Sequence, residues 1–284
     1  MPSATTEDTS EKPPEKPPAM SKILFVGELS WNVVIDRDGA PRKTCIGGAI
    51  ARAATKTADA GTETLMASDA AADAIGDLVV NTVAAHGVDM NSVDRFTEGR
   101  TPIEIHFDNG SPTVRYQSYP DEAFDIIWPR LEKEDTVVFG GHYTLDSRIR
   151  PRLYRLLLHA AEKGCNMVYA PLFSIAREPQ ITRVMPAILE NCEISHTIVT
   201  RTSDLQAIYG TADSDKCYHD NIAFYGCRLI NFDPDSSTIS IIDRQKGKHQ
   251  CKAGKADIAT IIATAAMAIN TGNSIAGAIA ADIV

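Results

Sequence analysis

The sequence predicts an α/β protein: a doubly wound, mostly parallel sheet covered by helices on both faces. Three observations carry this. Short continuous apolar runs recur along the chain, as expected of strands buried on both faces. They alternate with Ala- and Leu-rich segments of helical period that stop at glycine, the pattern of βαβ crossovers. At 284 residues, 44% of them hydrophobic, the chain is long enough to bury a large core.

The elements follow in order. Lys22–Val26 (KILFV) reads as a buried strand, followed by Gly27-Glu28. Gly47-Gly48 opens a helix, Ile50–Ala60, that ends at Gly61. Thr64–Ala67 is a strand, and Ile75–His86 a helix stopped by Gly87. Ile103–Phe107 and Thr113–Tyr119 alternate around Asp108-Asn109-Gly110, a strong hairpin signal. This polar hairpin interrupts the βαβ alternation, so it is expected to leave the main sheet as a flap. Strands then read at Thr136–Phe139, Met167–Ala170, His196–Val199, Arg228–Phe232 and Thr238–Asp243. Helices read at Pro151–Lys163, Ile181–Asn191, Ser203–Tyr209, Asp215–Tyr225, Asp257–Asn270 and Ser274–Ala281. Residues 1–20, with Glu-Lys-Pro-Pro twice, read as a disordered tail outside a single domain spanning 21–284.

Composition excludes several function classes. A formal charge of −9 argues against nucleic acid or an anionic membrane as the main partner. No apolar run approaches a membrane span, and the N-terminus lacks the apolar stretch of a signal peptide. The six cysteines form no C-x-x-C pair and the histidines are scattered. Free thiols in a reducing cytoplasm are therefore expected, with no metal site.

Ligands of doubly wound sheets sit at the carboxyl ends of strands. Four segments fall there, each with two readings. Gly27, Glu28 and Asn32 form a polar mouth or a plain turn. Gly47 and Gly48 admit a ligand close to the backbone or merely permit a tight turn. Gly254, Lys255, Ala256 and Asp257 enter a long helix, where amides bind phosphate and Asp257 is either a base or an N-cap. Among Arg201 to Asp204, Ser203 or Asp204 caps a helix, or the segment touches a nucleotide or magnesium.

In this order the segments resemble the PfkB (ribokinase-like) carbohydrate kinases. Gly27, Glu28 and Asn32 resemble the family's Gly-Glu-x-x-x-Asp, and Gly47, Gly48 and Arg52 its Gly-Gly-x-x-x-Asn. Ala71, Ala72, Asp73 and Gly76, followed by His86–Met90 (HGVDM), resemble Gly-Asp-Asp-x-x-Gly and its sequel. Gly254 to Asp257 resemble the late Gly-Ala-Gly-Asp. The resemblance covers about residues 21 to 270 and implies a ribokinase-like fold. It also implies a small β lid, built here from about 40–46 and 101–119, through which many members form a homodimer. The implied reaction transfers a phosphoryl group from ATP, with Mg2+, to a sugar hydroxyl. By resemblance Asp257 is the base, and Gly254, Lys255 and Ala256 stand at the anion hole. Asn32, Gly47, Gly48 and Arg52 stand at the sugar, and Arg201, Asp204 and Asn231 at the nucleotide.

The sequence departs from that pattern at most polar positions. Asn32 replaces an aspartate, and Arg52 replaces an asparagine. Ala170-Pro171-Leu172 stands for Asp-x-Asn, and Arg201 with Asp204 for Asn-x-x-Glu. Asn231–Ser236 (NFDPDS) replaces a glycine-rich loop and carries Asp233 and Asp235. Losing one well-placed catalytic group costs on the order of 10² to 10³ in rate. The expectation is a family fold with weak or lost kinase activity and a ligand-binding role. The alternative is an active kinase with a charged substrate, in which Arg52 recognises a carboxylate or phosphate.

Overall fold

A computed structural model describes residues 21–120 and 124–283; the expected tail, 1–20, lies outside the described residues. The chain begins with β1 (Ile23–Val26), β2 (Ser30–Ile35), β3 (Pro41–Gly47), α1 (Ala49–Asp59), β4 (Thr64–Ala71) and α2 (Ala74–Ala85). Next come β5 (Asp89–Phe96), β6 (Arg100–Phe107), β7 (Val114–Ser118), β8 (Thr136–Gly140) and a 3-10 turn (His142–Leu145). They are followed by α3 (Arg150–Glu162), β9 (Asn166–Ala170), α4 (Ile181–Glu193), β10 (Thr197–Arg201) and α5 (Thr202–Tyr209). The last part holds α6 (Ser214–Cys217), β11 (Arg228–Asp233), β12 (Thr238–Asp243), β13 (Gly247–Lys252), α7 (Ile258–Asn270) and α8 (Ile275–Ile283).

Nine strands form the main sheet in the order β13-β12-β11-β10-β9-β8-β1-β4-β5. It is parallel from β5 through β11 and antiparallel only at β12 and β13. β1 lies between β4 and β8, where the winding reverses. Its alternation divides the core: Ile23 and Phe25 join the layer of α1, α2, α7 and α8. Leu24 and Val26 join the layer of α3, α4 and α5. Alanines on α1 and α7 allow those two helices to lie side by side.

A second sheet, β3-β2-β6-β7, stands over the carboxyl ends of the main strands. It contains both expected lid segments and one strand the sequence reading omitted. β2 (SWNVVI) alternates Ser30 and Asn32 with Trp31 and Val33, so it lacks the continuous apolar run of a strand buried on both faces. β5 and β13 were also omitted. Both are polar edge strands, paired on one side only, and so lack the apolar run of a central strand. The expected helix at Asp215–Tyr225 is instead one α turn, a π turn (Tyr218–Ile222) and a 3-10 turn (Ala223–Tyr225). Among the described residues no helix is long and apolar enough to cross a membrane.

Candidate active site

A cavity of about 310 Å3 opens where β1, β8, β9 and β10 end, roofed by the lid sheet. That is the switch point of a doubly wound sheet. Gly48 lines the cavity; Gly47, also expected at the sugar, precedes it in the chain and is not among the lining residues. Gly48 has φ +76°, and a Cβ there would lie 2.7 Å from the Glu28 carbonyl oxygen. A Cβ on Gly47 would lie 2.3 Å from Asn32 Oδ1. Both glycines are thus required by chain packing, and Gly48 also lines the cavity.

The roof follows from strand register. Asn32 pairs with Glu104 across β2 and β6, and Glu104 pairs with Arg115 across β6 and β7. Residues of equal parity share a face, so Ser30, Asn32, Glu104 and His106 all line the cavity. Asn32 Oδ1 and His106 Nε2 are buried with no hydrogen-bond partner among the described residues. The other ring nitrogen of His106 lies 3.1 Å from Thr113 Oγ1.

Glu28 is the hub of the wall. Its carboxylate accepts from Arg115 Nη2, from Tyr119 Oη at 3.1 Å and from both Arg177 terminal nitrogens at 3.2 Å. Arg115 also donates to Glu104. These bonds tie the lid (Arg115, Tyr119) and the loop after β9 (Arg177) to the end of β1. Burial and the Glu28 charge push the Tyr119 hydroxyl pKa up, so it remains a donor. His142 Nε2 accepts from the Ser174 N–H at 3.0 Å, and its ring stacks on Phe173. Burial, with help from Arg177, pushes its pKa down to about 4, so the ring is neutral. Beneath this wall Asp69 is 1% exposed, and neither of its carboxylate oxygens has a partner among the described residues.

Asp257 caps α7; it does not itself line the cavity, but its partner Arg52 and its neighbour Ile258 do. Its Oδ1 accepts from the Thr260 N–H (3.0 Å) and hydroxyl (2.8 Å); its Oδ2 accepts from Arg52 Nη1 at 2.7 Å. Burial favours the neutral acid, but the Thr260 bonds and the Arg52 and Lys56 charges outweigh it and hold the pKa below its ordinary value. Ala256 donates its N–H to the Ala253 carbonyl at 2.8 Å. Gly254 and Lys255 are exposed beside it.

The three residues expected at the nucleotide are engaged within the fold. Asp204 is fully buried and accepts from the Arg201 backbone N–H, Nε and Nη2, the last at 2.6 Å. Arg201 also donates to the Phe173 carbonyl, although its side chain reaches the cavity. Asn231 is 4% exposed and bonds Thr200 and Thr202 at 3.0 Å each. Asp204 and Asn231 are buried and neither lines the cavity, so as placed these two side chains do not fit Mg2+-ATP.

Of the residues expected at the sugar, Asn32, Gly48 and Arg52 share one cavity with Arg201. Sequence reasoning did not single out Glu104, His106, Arg115, His142 or Arg177. The one available signal was the alternation of charged and apolar residues in the 101–119 hairpin.

Residues 20–222 match the pfkB family carbohydrate kinases. The chain belongs to that family. The match ends before β11 and α7, so it does not include the Asp257 corner. No curated protein sequence matches the chain. Solved structures with the same pfkB-type fold do. A fructokinase double mutant from Vibrio cholerae O395, bound to fructose, ADP and potassium, is 13% identical with a TM-score of 0.78, covering 92% of this chain and 89% of its own. Aminoimidazole riboside kinase from Salmonella enterica, with aminoimidazole riboside and an ATP analogue, is 15% identical with a TM-score of 0.76, covering 91% and 90%. Halothermothrix orenii fructokinase is 11% identical with a TM-score of 0.75, covering 93% and 98%.

Proposed function

We propose that this pfkB-family chain binds a small hydroxylated ligand in the lid-covered cavity, with phosphoryl transfer weak or lost. The observation that carries the reading is the 2.7 Å ion pair between Arg52 and Asp257. A general base must have a free lone pair within reach of the hydroxyl it deprotonates. Here Thr260 fills both acceptor positions of Asp257 Oδ1 and the Arg52 guanidinium takes one of the two on Oδ2, leaving a single open position beside a cation. Lowering its pKa makes it a weaker base as well. The Ala256 amide, expected at the anion hole, is bonded to Ala253. Ligand binding is supported by what remains: a polar cavity beneath the lid sheet, two orphaned polar atoms in its roof and a wall braced through Glu28.

The reading includes two further features. The lid is proposed to meet a second copy of the chain, supported by Val114 and Tyr116 on its edge strand β7, Tyr116 being 61% exposed. The six free cysteines, four of them buried, suit a reducing compartment such as the cytoplasm.

Calorimetry with Mg2+-ATP, checked by thermal melts, tests the main reading. A ligand at 100 times its Kd stabilises the native state by about 2.7 kcal/mol, which a melt shows. The expected result is no shift at millimolar Mg2+-ATP and a positive shift with some member of a polyol panel. Micromolar ATP binding with polyol-dependent ADP release, abolished in Asp257→Asn, would overturn the loss of transfer.

A further inference from the structure

We infer that the cavity wall carries a proton-operated latch: Asp69 holds a proton while the wall is closed, and release of that proton accompanies lifting of the cover made by Tyr119 and Tyr143. The inference does not depend on what the cavity holds.

Strand register sets up the latch. β1 and β4 pair as Leu24–Leu65 and Val26–Ala67, and the Gly27 N–H still reaches the Ala67 carbonyl at 3.4 Å. Two residues further on, the same register places Glu28 beside Asp69. On its other side Asp69 pairs directly with Asp94 of β5. Register partners share a face, so Glu28, Asp69 and Asp94 form a row of carboxylates across three parallel strands. Like charges directly opposite each other destabilise a sheet.

The ends of the row have partners and the middle has none. Glu28 is held by Arg115, Tyr119 and Arg177. Asp94 accepts the Asp125 N–H at 2.9 Å. Asp69 is 1% exposed and both its oxygens are unpartnered among the described residues. The cation acting on it is Arg148, which is spent on Asp146 and the Pro120 carbonyl, with its guanidinium 4.2 Å above the Tyr119 ring. Among the described residues no group of three His, Cys, Asp or Glu side chains is placed to hold a metal ion. A proton is left to neutralise the row.

The groups facing Asp69 are Glu28 from the end of β1, Asp94 from β5, Tyr119 after β7, and Tyr143, Asp146 and Arg148 from the turns before α3. Burial and the three acidic neighbours outweigh Arg148 and push its pKa up to about 7. Ionised, Asp69 needs water, and water reaches it only when its cover lifts. Tyr143 Oη, itself buried without a partner, belongs to the 3-10 turn, and Tyr119 directly follows β7 of the lid. Glu28 and Tyr143 also line the cavity, so lifting the cover alters the cavity wall.

A hydrated Asp69 loses its proton near pH 4, its ordinary value, whereas the closed form keeps it to about pH 7. Opening thus releases one proton, and its equilibrium constant rises about tenfold per pH unit between those limits and levels off above them. His142, on the same wall, acts in the opposite sense below about pH 6.5.

Amide exchange of β7 and of residues 142–145 across about pH 5 to 8, corrected for the intrinsic pH dependence of exchange, tests this. The quantity read is the ratio of opening constants, wild type over Asp69→Asn, from which the His142 contribution cancels. It should rise about tenfold per pH unit to about pH 6.5 and level off near pH 7. Asp94→Asn, which removes one neighbouring charge, should move the levelling to lower pH. A ratio independent of pH overturns the inference, as does a levelling point that Asp94→Asn leaves unmoved. Infrared titration of the wild type needs no variant that folds poorly. It should show a protonated carboxyl band at about pH 6 that fades through pH 7, and its absence overturns the latch.

Discussion

Asp69 and His142 are buried titratable residues whose pKa values move in opposite directions. Burial, with the repulsion of Glu28, Asp94 and Asp146 and against the attraction of Arg148, pushes the Asp69 pKa up to about 7. An acid whose folded pKa is raised stabilises the fold least when ionised, so its contribution falls as pH rises from about 4 to about 7. His142, pushed down to about 4 from 6.5, does the reverse: stability is lost as pH falls from about 6.5 to about 4. At about 1.4 kcal/mol per pKa unit the effect is roughly 4 to 5 kcal/mol for Asp69 and roughly 3 to 4 for His142, so the two largely oppose each other. The wild-type melting temperature is thus expected to vary less between pH 4.5 and 6.5 than that of either single variant. In Asp69→Asn it should rise with pH across that window, and in His142→Gln it should fall. Flat profiles in both variants would show that neither residue titrates there.

Asp257 shows how far single residues were legible. Its position before an Ala-rich helix allowed both a cap and a base, and the structure shows the cap plainly, with Thr260 as its partner. The sequence did not show Arg52 on its other oxygen, because the two are 205 residues apart and spacing carries no information on pairing. As an N-cap, Asp257→Ala should lose about 1 kcal/mol in chemical denaturation, and Asp257→Asn, which can still cap, less.

At the scale of elements, buried strands and glycine-stopped helices could be read because burial on both faces leaves an apolar run. β2, β5 and β13 could not, because each is polar on one face or lies at an edge. The same limit hid the roof of the cavity. Glu104, His106 and Arg115 look like ordinary solvent-facing lid residues until the β2–β6–β7 register turns them inward. Arg115 is the element-level keystone: its side chain is 13% exposed and serves both Glu28 and Glu104. Removing Arg115 strands Glu104, whereas Glu28 keeps Tyr119 and Arg177, so the cost lies toward the lower end of the roughly 3 to 5 kcal/mol of a broken buried pair. Arg115→Ala should therefore destabilise the protein by about that amount. Amide exchange should quicken first in β6 and β7. Loss of stability with unchanged lid protection would show that Arg115 does not brace the lid.

For the whole molecule, element order was enough to place the cavity, since a doubly wound sheet has one region where its winding reverses. Identities of 11 to 15% to structures of the same fold show that the framework survives replacement of most side chains. The framework tolerates such change because apolar volume and glycine geometry are redundant requirements met by many residues. The site is different, since each polar group there has one or two possible partners. Sedimentation at tens of micromolar is expected to show a dimer that Tyr116→Asp converts to monomer; a monomeric wild type would remove the lid as an interface.

Glu28 is 87 residues from Arg115 and 149 from Arg177. Contacts this distant in sequence close large loops and are made late as a chain folds. The wall of the cavity is expected to assemble after the sheet that carries it. Substitutions at Glu28 or Arg177 should speed unfolding while leaving the folding rate nearly unchanged. The ligand would then act as a brake on unfolding, holding shut a late step of folding.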